Sequence, residues 1–282
     1  MSGSQAICVL SDIHGHDQVL LRLLRDTGLT DEANTWRGGS SILWLLGDFV
    51  DQGPHGIAVI ELIMRLQEEA AAAGGAVRAL LGNHDLLLLA AWRFGEHAIP
   101  AGGNFLAQWR QNGGRQTDLE ALTAAHARWL CTLPMLAHVD GRLVAHADAT
   151  FYRDYGISVA QVNAAVRSLL AGDDIGAWAR LSAAFSRHRE FAGDQGAARL
   201  DALLQRFGGA QLIHGHTPIV KHPASHPKGT AAPPPETVTA PLVYADGRCV
   251  DIDGGIYLGG PGFVYCMPPL DTASARDRSQ PR

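Results

Sequence analysis

The feature that most restricts the fold is a strand–loop–helix pattern that occurs three times in succession. Apolar runs at Ala6–Leu10, Ile42–Leu46 and Val77–Leu81 each end at a polar loop, and a helix-like segment follows each loop. Short apolar runs between polar loops are typical of buried strands, and a 3.6-residue apolar period is typical of helices. Repeated units of this kind predict an α/β domain with a mostly parallel sheet and helices on both of its faces.

The remaining segments complete one predicted domain over residues 1–270. Residues 95–133 are interpreted as a helical insertion with Gly-rich breaks, and residues 222–240, rich in Pro, Ala and Thr, as an irregular loop. Residues 271–282 are expected to form a flexible tail. The predicted helices are Asp17–Asp26, Gly56–Ala73, Leu86–Phe94, Val159–Leu170 and Leu200–Phe207. The further predicted strands are Arg142–Ala145, Gln211–Ile213, Leu242–Tyr244, Cys249–Ile252 and Phe263–Met267.

Composition narrows the class of protein. The chain has 282 residues with 23 Lys and Arg against 28 Asp and Glu, which gives a net charge of −5. A mildly acidic chain is not expected to bind nucleic acid or a membrane surface in a general way. A chain of this length can bury a core without disulfide support. No oligomeric state is predicted.

The cysteines and the first residues indicate a compartment. Cys8, Cys131, Cys249 and Cys266 form no Cys-x-x-Cys pair, so zinc-finger and thioredoxin-like sites are not favoured. No secretory signal is evident in Met1–Gln5, and the longest apolar runs are too short to span a bilayer. A reducing, cytoplasmic setting is the simplest expectation.

Polar residues follow the predicted strands and suggest a metal centre. Since the ends of parallel strands lie side by side, residues distant in sequence can meet there. Carboxylate, imidazole and amide ligands suit Mn²⁺, with Fe or Zn²⁺ as alternatives. Two such cations close together can activate water and stabilise displacement at phosphorus. The motifs, in order, are Asp12-x-His14, Gly47–Asp48-x-x-Asp51, Gly82–Asn83–His84–Asp85, His146 and Gly215–His216–Thr217.

Each motif alone has an ordinary structural explanation. Asp12-x-His14 could be a polar loop, Asn83 could occupy a tight turn, and His146 alone would more often be a core histidine. Their joint occurrence, in one order and after successive strands, favours a shared site.

The set of motifs resembles the calcineurin-like metallophosphoesterase superfamily, and most closely its phosphoprotein phosphatase branch with bacterial and phage relatives. The resemblance extends in order from Ile7 to Met267 and is weak in Gly95–Leu133 and His222–Ala240. It implies an α/β fold of layered β-sheets flanked by helices, and a binuclear centre, most simply of two Mn²⁺.

The resemblance also implies a role for each motif residue. Asp12 and His14 would bind the first metal, and Asp48 would bridge both. The second metal would be bound by Asn83, His146 and His216. His84, oriented by Asp51, would protonate the leaving group. An imidazole beside a carboxylate keeps one tautomer and has a raised pKa, which suits this role.

The sequence departs from the family pattern where arginines usually bind the substrate phosphate. Gln52 and Leu81 stand at two such positions, and Asp85 replaces the usual Glu. Such arginines bind phosphate in a bidentate way, so their absence affects substrate binding more than metal binding. Phe185–Ser186–Arg187 resembles an element that supplies another phosphate-binding arginine, so Arg187 is the first candidate and Arg189 the second. An ordinary solvated helix face is the alternative for both.

Three functions remain open from the sequence. The first is a metal-dependent phosphatase that hydrolyses phosphomonoesters, plausibly phosphoserine, phosphothreonine or phosphotyrosine in proteins, with a metal-activated hydroxide as nucleophile. The second is a dinucleoside polyphosphate or nucleotide phosphohydrolase, which the departures at Gln52 and Leu81 favour. The third is a weakly active protein that binds a partner through Gly102–Leu133. The complete set of candidate ligands argues against this third function.

Overall fold

The computed structural model describes residues 5–226 and 229–270, so the predicted tail, 271–282, lies outside the described residues. Helices and strands alternate through the first third of the chain, as the sequence pattern predicts. The strands are β1 Ile7–Leu10, β2 Ile42–Leu45, β3 Ala76–Ala79, β4 Leu136–Val139, β5 Arg142–Ala145, β6 Leu212–His214, β7 Leu242–Tyr244, β8 Cys249–Asp251 and β9 Tyr265–Cys266. The helices are α1 Asp17–Asp26, α2 Gly56–Ala72, α3 Asn83–Phe94, α4 Phe105–Gln111, α5 Gln116–Ala121, α6 Ala124–Thr132, α7 Val159–Ala171, α8 Ile175–Phe185 and α9 Gly196–Phe207.

The first sheet has the strand order β3-β2-β1-β9. Strands β1, β2 and β3 are parallel and in close register, with Ile7 opposite Ile42 and Ile42 opposite Ala76. Strand β9 runs antiparallel to β1. Because the three parallel strands start together and are equally long, the loops that follow them meet at one edge of the sheet.

The second sheet has the strand order β4-β5-β6-β8-β7. Strands β5, β6 and β8 are parallel, and antiparallel strands β4 and β7 close its two sides. The polar residues that follow β5, β6 and β8 therefore also meet at one edge.

The two sheets pack face to face. Val9 of the first sheet and Val144, Ile213 and Val250 of the second belong to one buried apolar cluster. The opposite faces of both sheets pack against helices in a larger cluster. The layered arrangement agrees with the predicted fold, but only one face of each sheet contacts helices. Strand β1 is apolar on both faces, so its sequence could not distinguish a covering sheet from a covering helix.

The insertion consists of α4, α5 and α6, and the sequence did not predict their bounds. Strand β4 and helix α8 were also not predicted. Helix α3 begins at Asn83, three residues before the expected start, so Asn83 and His84 lie in its first turn. Most of the described part of 222–240 is irregular, apart from a short 3-10 turn at Pro235–Thr237.

Helix α2 shows how the helices are held. It has 17 residues, and Ile57, Ile60 and Ile63 on one side are buried. At roughly 25 cal/mol per Å² of apolar surface, such side chains supply most of the stability of a helix packed on a sheet. No helix in the described part of the chain has both the length and the apolar character that a membrane span needs.

Cys8 on β1 and Cys266 on β9 form a disulfide bond between paired strands. The cysteine spacing gave no indication of it, because 258 residues separate the two positions. Disulfides persist mainly in oxidising compartments, so this bond does not favour the reducing setting expected from the sequence.

Candidate metal centre and acid–base pair

The carboxylate of Asp85 holds two loops of the site together. Its Oδ2 accepts hydrogen bonds from the N–H groups of Asp48 and Gly82, both at 2.9 Å. Its Oδ1 accepts another from the N–H of Phe49 at 2.9 Å. Asp85 is fully buried, so these bonds form without competition from water. The loop after β2 and the start of α3 are thereby fixed relative to each other.

Asp48 lies between two sets of imidazoles. Its Oδ2 is 3.7 Å from Nε2 of His14 and 3.5 Å from Nε2 of His146. The carboxylate therefore faces both sets at once, as a residue shared by two metal sites would. Among the described residues, two groups have ligand atoms that all lie within 4.8 Å of one another: His14, Asp48 and His84, and Asp48, His146 and His216.

Backbone carbonyls orient two of these imidazoles. Nδ1 of His14 lies 3.0 Å from the carbonyl oxygen of Val50, and Nδ1 of His146 lies 2.8 Å from that of Leu46. A carbonyl only accepts, so Nδ1 carries the proton in both rings and the lone pair is at Nε2. In each case Nε2 is the atom that faces Asp48. Metal-binding histidines are commonly oriented in this way.

The other three predicted ligands are connected to the site through His146 and, for Asp12, through His216. Oδ1 of Asn83 lies 2.9 Å from Nε2 of His146. The ring of His216 packs edge-on against that of His146 at 4.9 Å. The backbone N–H of His216 donates to Oδ2 of Asp12 at 3.0 Å. Asp12 is thus connected to the site through His216 and is outside the two compact groups.

Four of the predicted ligands have left-handed backbone conformations. Their φ angles are 51° at Asp12, 47° at His14, 55° at Asp48 and 69° at His216. Such conformations cost about 1–3 kcal/mol each in residues other than Gly, and they concentrate at functional sites. The loops therefore hold these side chains in place at a cost to stability.

The electrostatics of the site favour neutral His14 and His216 rings and an ionised Asp48. Burial lowers the pKa of His14 to about 4 and that of His216 to about 3, so both rings have a free lone pair at neutral pH. Burial raises the pKa of Asp48, but the charges of His146 and His84 outweigh it and hold that pKa well below its ordinary range. His14, His216 and Asp48 thus have the protonation states that metal binding requires. Burial lowers the pKa of His146, but the adjacent Asp48 outweighs it and raises that pKa, so a cation would compete with a proton there.

The site contains several buried carboxyl groups with unfilled hydrogen-bonding capacity. Burial, followed by the nearby Asp253 and Asp48, raises the pKa of Asp12 well above its ordinary value. Burial also raises the pKa of Asp253 to about 7. A bound divalent cation would relieve both the repulsion and the missing contacts, so the donor set fits a metal centre. Buried atoms of the site without a hydrogen-bond partner among the described residues are Oδ1 of Asp12, Nε2 of His216, Oδ2 of Asp251 and Oδ2 of Asp253.

His84 and Asp51 form a hydrogen-bonded pair beside Asp48. Nδ1 of His84 lies 2.8 Å from Oδ2 of Asp51, and the backbone N–H of His84 donates to Oδ1 of Asp48 at 2.9 Å. Burial lowers the pKa of His84, but Asp48 and Asp51 outweigh it and raise that pKa to about 9. A protonated His84 at neutral pH can act as a general acid.

The two arginine candidates differ in their contacts. Arg187 is exposed, and its guanidinium pairs with Glu190, with 2.6 Å between Nε and Oε1. Nε of Arg189 is buried and has no hydrogen-bond partner among the described residues. Arg189 directly follows His188, whose ring packs 5.4 Å from that of His216.

The positions that depart from the family pattern have structural roles. Leu81 is fully buried in the main core, where a guanidinium would lack water. Nε2 of Gln52 donates to the carbonyl of Asn112 at 2.9 Å. His214 is not among the predicted ligands, and both of its ring nitrogens are engaged, Nε2 with Tyr244 and Nδ1 with the carbonyl of Gly215.

Three residues near the site received no role from the sequence. Asp85 was noted only as a replacement, and Asp253 and Trp109 were not among the candidate residues. Asp253 follows strand β8, which pairs with β6, so its place after a strand could have indicated it. Nothing in the sequence indicated that Trp109 lies at the site, because no local pattern shows how the inserted helices are placed relative to the sheet.

The family model for calcineurin-like phosphoesterases matches residues 6–220. Shewanella-like protein phosphatase 2 of Arabidopsis thaliana is 28% identical over 83 residues, which is 29% of this chain and 21% of that protein. A symmetrical bis(5'-nucleosyl)-tetraphosphatase of Acidovorax ebreus (strain TPSY) is 41% identical over 86 residues, 30% of this chain and 26% of that protein. The matched segments thus span about a quarter or less of either relative.

Solved structures agree with the fold. A cold-active protein-tyrosine phosphatase of a psychrophilic Shewanella species aligns with a TM-score of 0.68 at 20% identity. The alignment covers 93% of this chain and 75% of the other. At this identity the likeness concerns the fold alone.

Proposed function

The chain belongs to the calcineurin-like phosphoesterase family, and from this premise we propose that it is a phosphatase that hydrolyses phosphomonoesters at a centre of two divalent cations. Phosphorylated Ser, Thr or Tyr in proteins is the first substrate class. Both a protein phosphatase and a nucleotide phosphohydrolase are among its relatives, so family membership alone leaves the substrate open.

The position of Asp48 carries the proposal. One carboxylate faces His14 on one side and His146 on the other, and its second oxygen accepts from the backbone of His84. The candidate cation ligands and the candidate proton donor are therefore parts of one connected site. Cation ligands and a proton donor in one site support the proposed hydrolysis of a phosphate ester.

The residues would divide the work as follows. Asp12, His14 and Asp48 would hold one cation, and Asp48 with Asn83, His146 and His216 the other. When bound, the two cations would supply Lewis-acid activation of water and neutralise charge at phosphorus.

His84 would hold the proton for the leaving oxygen at Nε2, because Nδ1 is engaged with Asp51. The Asp51 carboxylate would keep the ring in that orientation and stabilise its charge. A proton supplied in this way prevents an alkoxide or phenoxide from leaving as a bare anion.

We propose that one arginine of the 187–189 segment binds the substrate phosphate. Arg187 is the candidate from the resemblance, but its guanidinium is engaged by Glu190. Arg189 has the free guanidinium Nε and lies beside His188, so the contacts favour it. Arg189→Ala is expected to lower kcat/KM for p-nitrophenyl phosphate about 10–100-fold, since a charged hydrogen bond contributes about 1.5–3 kcal/mol.

Arg187→Ala is the matched control, because it removes the same group two residues away. We expect it to change kcat/KM less than about threefold. Steady-state kinetics with Mn²⁺ measures both variants. A larger loss for Arg187→Ala would reverse the assignment, and unchanged kinetics in both would remove this segment from phosphate binding.

A dinucleoside polyphosphate hydrolase is the second candidate. Gln52 and Leu81 are occupied by structural contacts, so neither provides the phosphate-binding cation that phosphomonoesterases of this family usually have there. The segment of 86 residues that is 41% identical to the tetraphosphatase also favours it.

A substrate panel separates the two candidates. Metal-stripped protein would be reconstituted with Mn²⁺, Fe²⁺ or Zn²⁺ and assayed on p-nitrophenyl phosphate, phosphoserine and phosphotyrosine peptides, and diadenosine tetraphosphate. We expect Mn²⁺ to restore the most activity and a phosphopeptide to give the highest kcat/KM. A tenfold or greater preference for the dinucleotide would replace the first candidate by the second. Reconstitution also identifies the preferred metal, with Mn²⁺ proposed and Fe or Zn²⁺ as alternatives.

A further inference from the structure

We propose that Trp109, from the helical insertion, is a positioning residue for the Asp51–His84 pair, and that Gln52 serves to dock the insertion. This inference rests on the proposed role of His84 as proton donor. It assigns the insertion to the acid–base machinery and explains why an arginine is absent at position 52.

The contact that carries the inference is between two buried side chains. Nε1 of Trp109 donates to Oδ1 of Asp51 at 2.7 Å, while Oδ2 of the same carboxylate faces Nδ1 of His84 at 2.8 Å. Both Trp109 and Asp51 are 0% exposed. The two oxygens of Asp51 are thus divided between the insertion and the imidazole.

The hydrogen bond fixes the rotation of the carboxylate. Without Trp109, Oδ1 of Asp51 would lose its side-chain donor in a place that water does not reach. A buried oxygen without a donor is costly, so the carboxylate would rotate or take up a proton. Either change weakens its hold on His84.

Further hydrogen bonds join the insertion to the residue after Asp51. The backbone N–H of Gln52 donates to the carbonyl of Gly113, and its Nε2 donates to the carbonyl of Asn112, both at 2.9 Å. The guanidinium Nε of Arg115 donates to the carbonyl of Gln52 at 3.0 Å. Both the backbone and the side-chain amide of Gln52 therefore form hydrogen bonds to the insertion.

The segment after Trp109 approaches so closely that it needs glycines. A Cβ on Gly114 would lie 2.3 Å from the indole of Trp109, and one on Gly113 would lie 2.5 Å from the side chain of Gln52. Gly113 also has a φ of 90°, which favours glycine. The Gly113–Gly114 pair thus allows the insertion to pack closely against Trp109 and Gln52, beside the Asp51–His84 pair.

The test compares leaving groups in the 282-residue chain reconstituted with Mn²⁺. Phenyl phosphate has a more basic leaving group than p-nitrophenyl phosphate, so it depends more on protonation by His84. Trp109→Phe is expected to lower kcat for phenyl phosphate about 10-fold and kcat for p-nitrophenyl phosphate less than threefold, with KM unchanged. On a His84→Ala background, the same substitution is expected to have no further effect.

Trp178→Phe is the matched control. Trp178 is also buried, but its Nε1 donates to the carbonyl of Gly172, away from the acid–base pair. We expect Trp178→Phe to leave the ratio of kcat for phenyl phosphate to kcat for p-nitrophenyl phosphate unchanged. Equal losses on both substrates in Trp109→Phe, or losses that add to those of His84→Ala, would show a merely structural role and overturn the inference.

Two outcomes separate this inference from the proposed function. If His84→Ala affects both substrates equally, His84 is not the proton donor and the proposed function is wrong at that point. If His84→Ala lowers kcat more for phenyl phosphate than for p-nitrophenyl phosphate, but Trp109→Phe lowers both equally, the inference alone is wrong. Should Trp109→Phe fail to fold, Gln52→Met is the second variant, because it removes the hydrogen bond to Asn112. It is expected to lower kcat for phenyl phosphate about threefold more than kcat for p-nitrophenyl phosphate. Equal effects on the two substrates would also overturn the inference.

Discussion

Asp48→Asn is expected to abolish Mn²⁺-dependent hydrolysis of p-nitrophenyl phosphate, with a loss of about 10³-fold or more in kcat. Asp48 faces both groups of candidate ligands, so the substitution weakens both cation sites at once. Lewis-acid stabilisation is worth several kcal/mol, and each 1.36 kcal/mol corresponds to a factor of ten in rate. Bound Mn²⁺ measured by mass spectrometry is expected to fall from two per chain to one or none.

The control for this variant is Asp26→Asn at the exposed end of α1, where the carboxylate pairs with Arg22 at the surface. It is expected to retain both metals and full activity, since exposed pairs contribute about 0–1 kcal/mol. An Asp48→Asn protein with two bound Mn²⁺ and near-normal kcat would contradict the metal assignment. A fold check by circular dichroism separates loss of metal from loss of structure.

His84→Ala is expected to lower kcat about 10²–10⁴-fold on alkyl phosphates while both metals remain bound. The physical reason is that the leaving oxygen loses its proton donor, whereas the candidate cation ligands are untouched. The loss is expected to be smaller on p-nitrophenyl phosphate, whose leaving group needs less protonation. Steady-state kinetics on a series of leaving groups, together with metal content, measures both effects.

His55→Ala is the control for this second variant. His55 also forms a pair with an aspartate, with Nδ1 2.8 Å from Oδ1 of Asp17, but its side chain is exposed and it belongs to neither compact group. We expect its kinetics to match those of the unmodified protein. Loss of bound Mn²⁺ in His84→Ala would instead make His84 a ligand, as its place in one of the two compact groups allows.

These two variants also address the partner-binding alternative. A weakly active protein that used its insertion only for docking would show little dependence on Asp48 or His84. The structure connects the insertion to Asp51 through Trp109, so the insertion and the acid–base pair form one unit. A large effect of both variants would therefore favour catalysis over docking.

Much of the candidate site could be predicted from the sequence because a change from apolar to polar residues marks the end of a strand. Asp12, Asp48 and His146 each follow an apolar run. Parallel pairing brings Asp12 and Asp48 to one edge of the first sheet, and His146 lies at the corresponding edge of the second. The helix α1 was predicted with correct bounds, since its apolar period and its polar flanks agree. Local pattern and topology were sufficient in these cases.

Other features could not be predicted because they depend on contacts between distant segments. Asp85 and Trp109 matter through hydrogen bonds to residues 37 and 58 positions away, and no periodicity encodes those. The disulfide between Cys8 and Cys266 joins the two ends of the described chain, and cysteine spacing does not indicate it. The start of α3 was placed too late because Asn83 and His84 are polar.

The sequence by itself determined the class of fold, the order of the motifs and the kinds of ligand that the site offers. These depend on residue type and local period, which the chain carries without reference to its neighbours. Only the tertiary structure decided that the two sheets pack against each other through one face each. It alone also decided that Arg189 rather than Arg187 has a free guanidinium Nε. The hydrogen bonds of Gln52 and Trp109 that hold the insertion against Asp51 and its neighbour likewise exist only in the folded chain. The reason is physical: hydrogen bonds and burial are properties of pairs of residues, and the pairs exist only once the chain has folded.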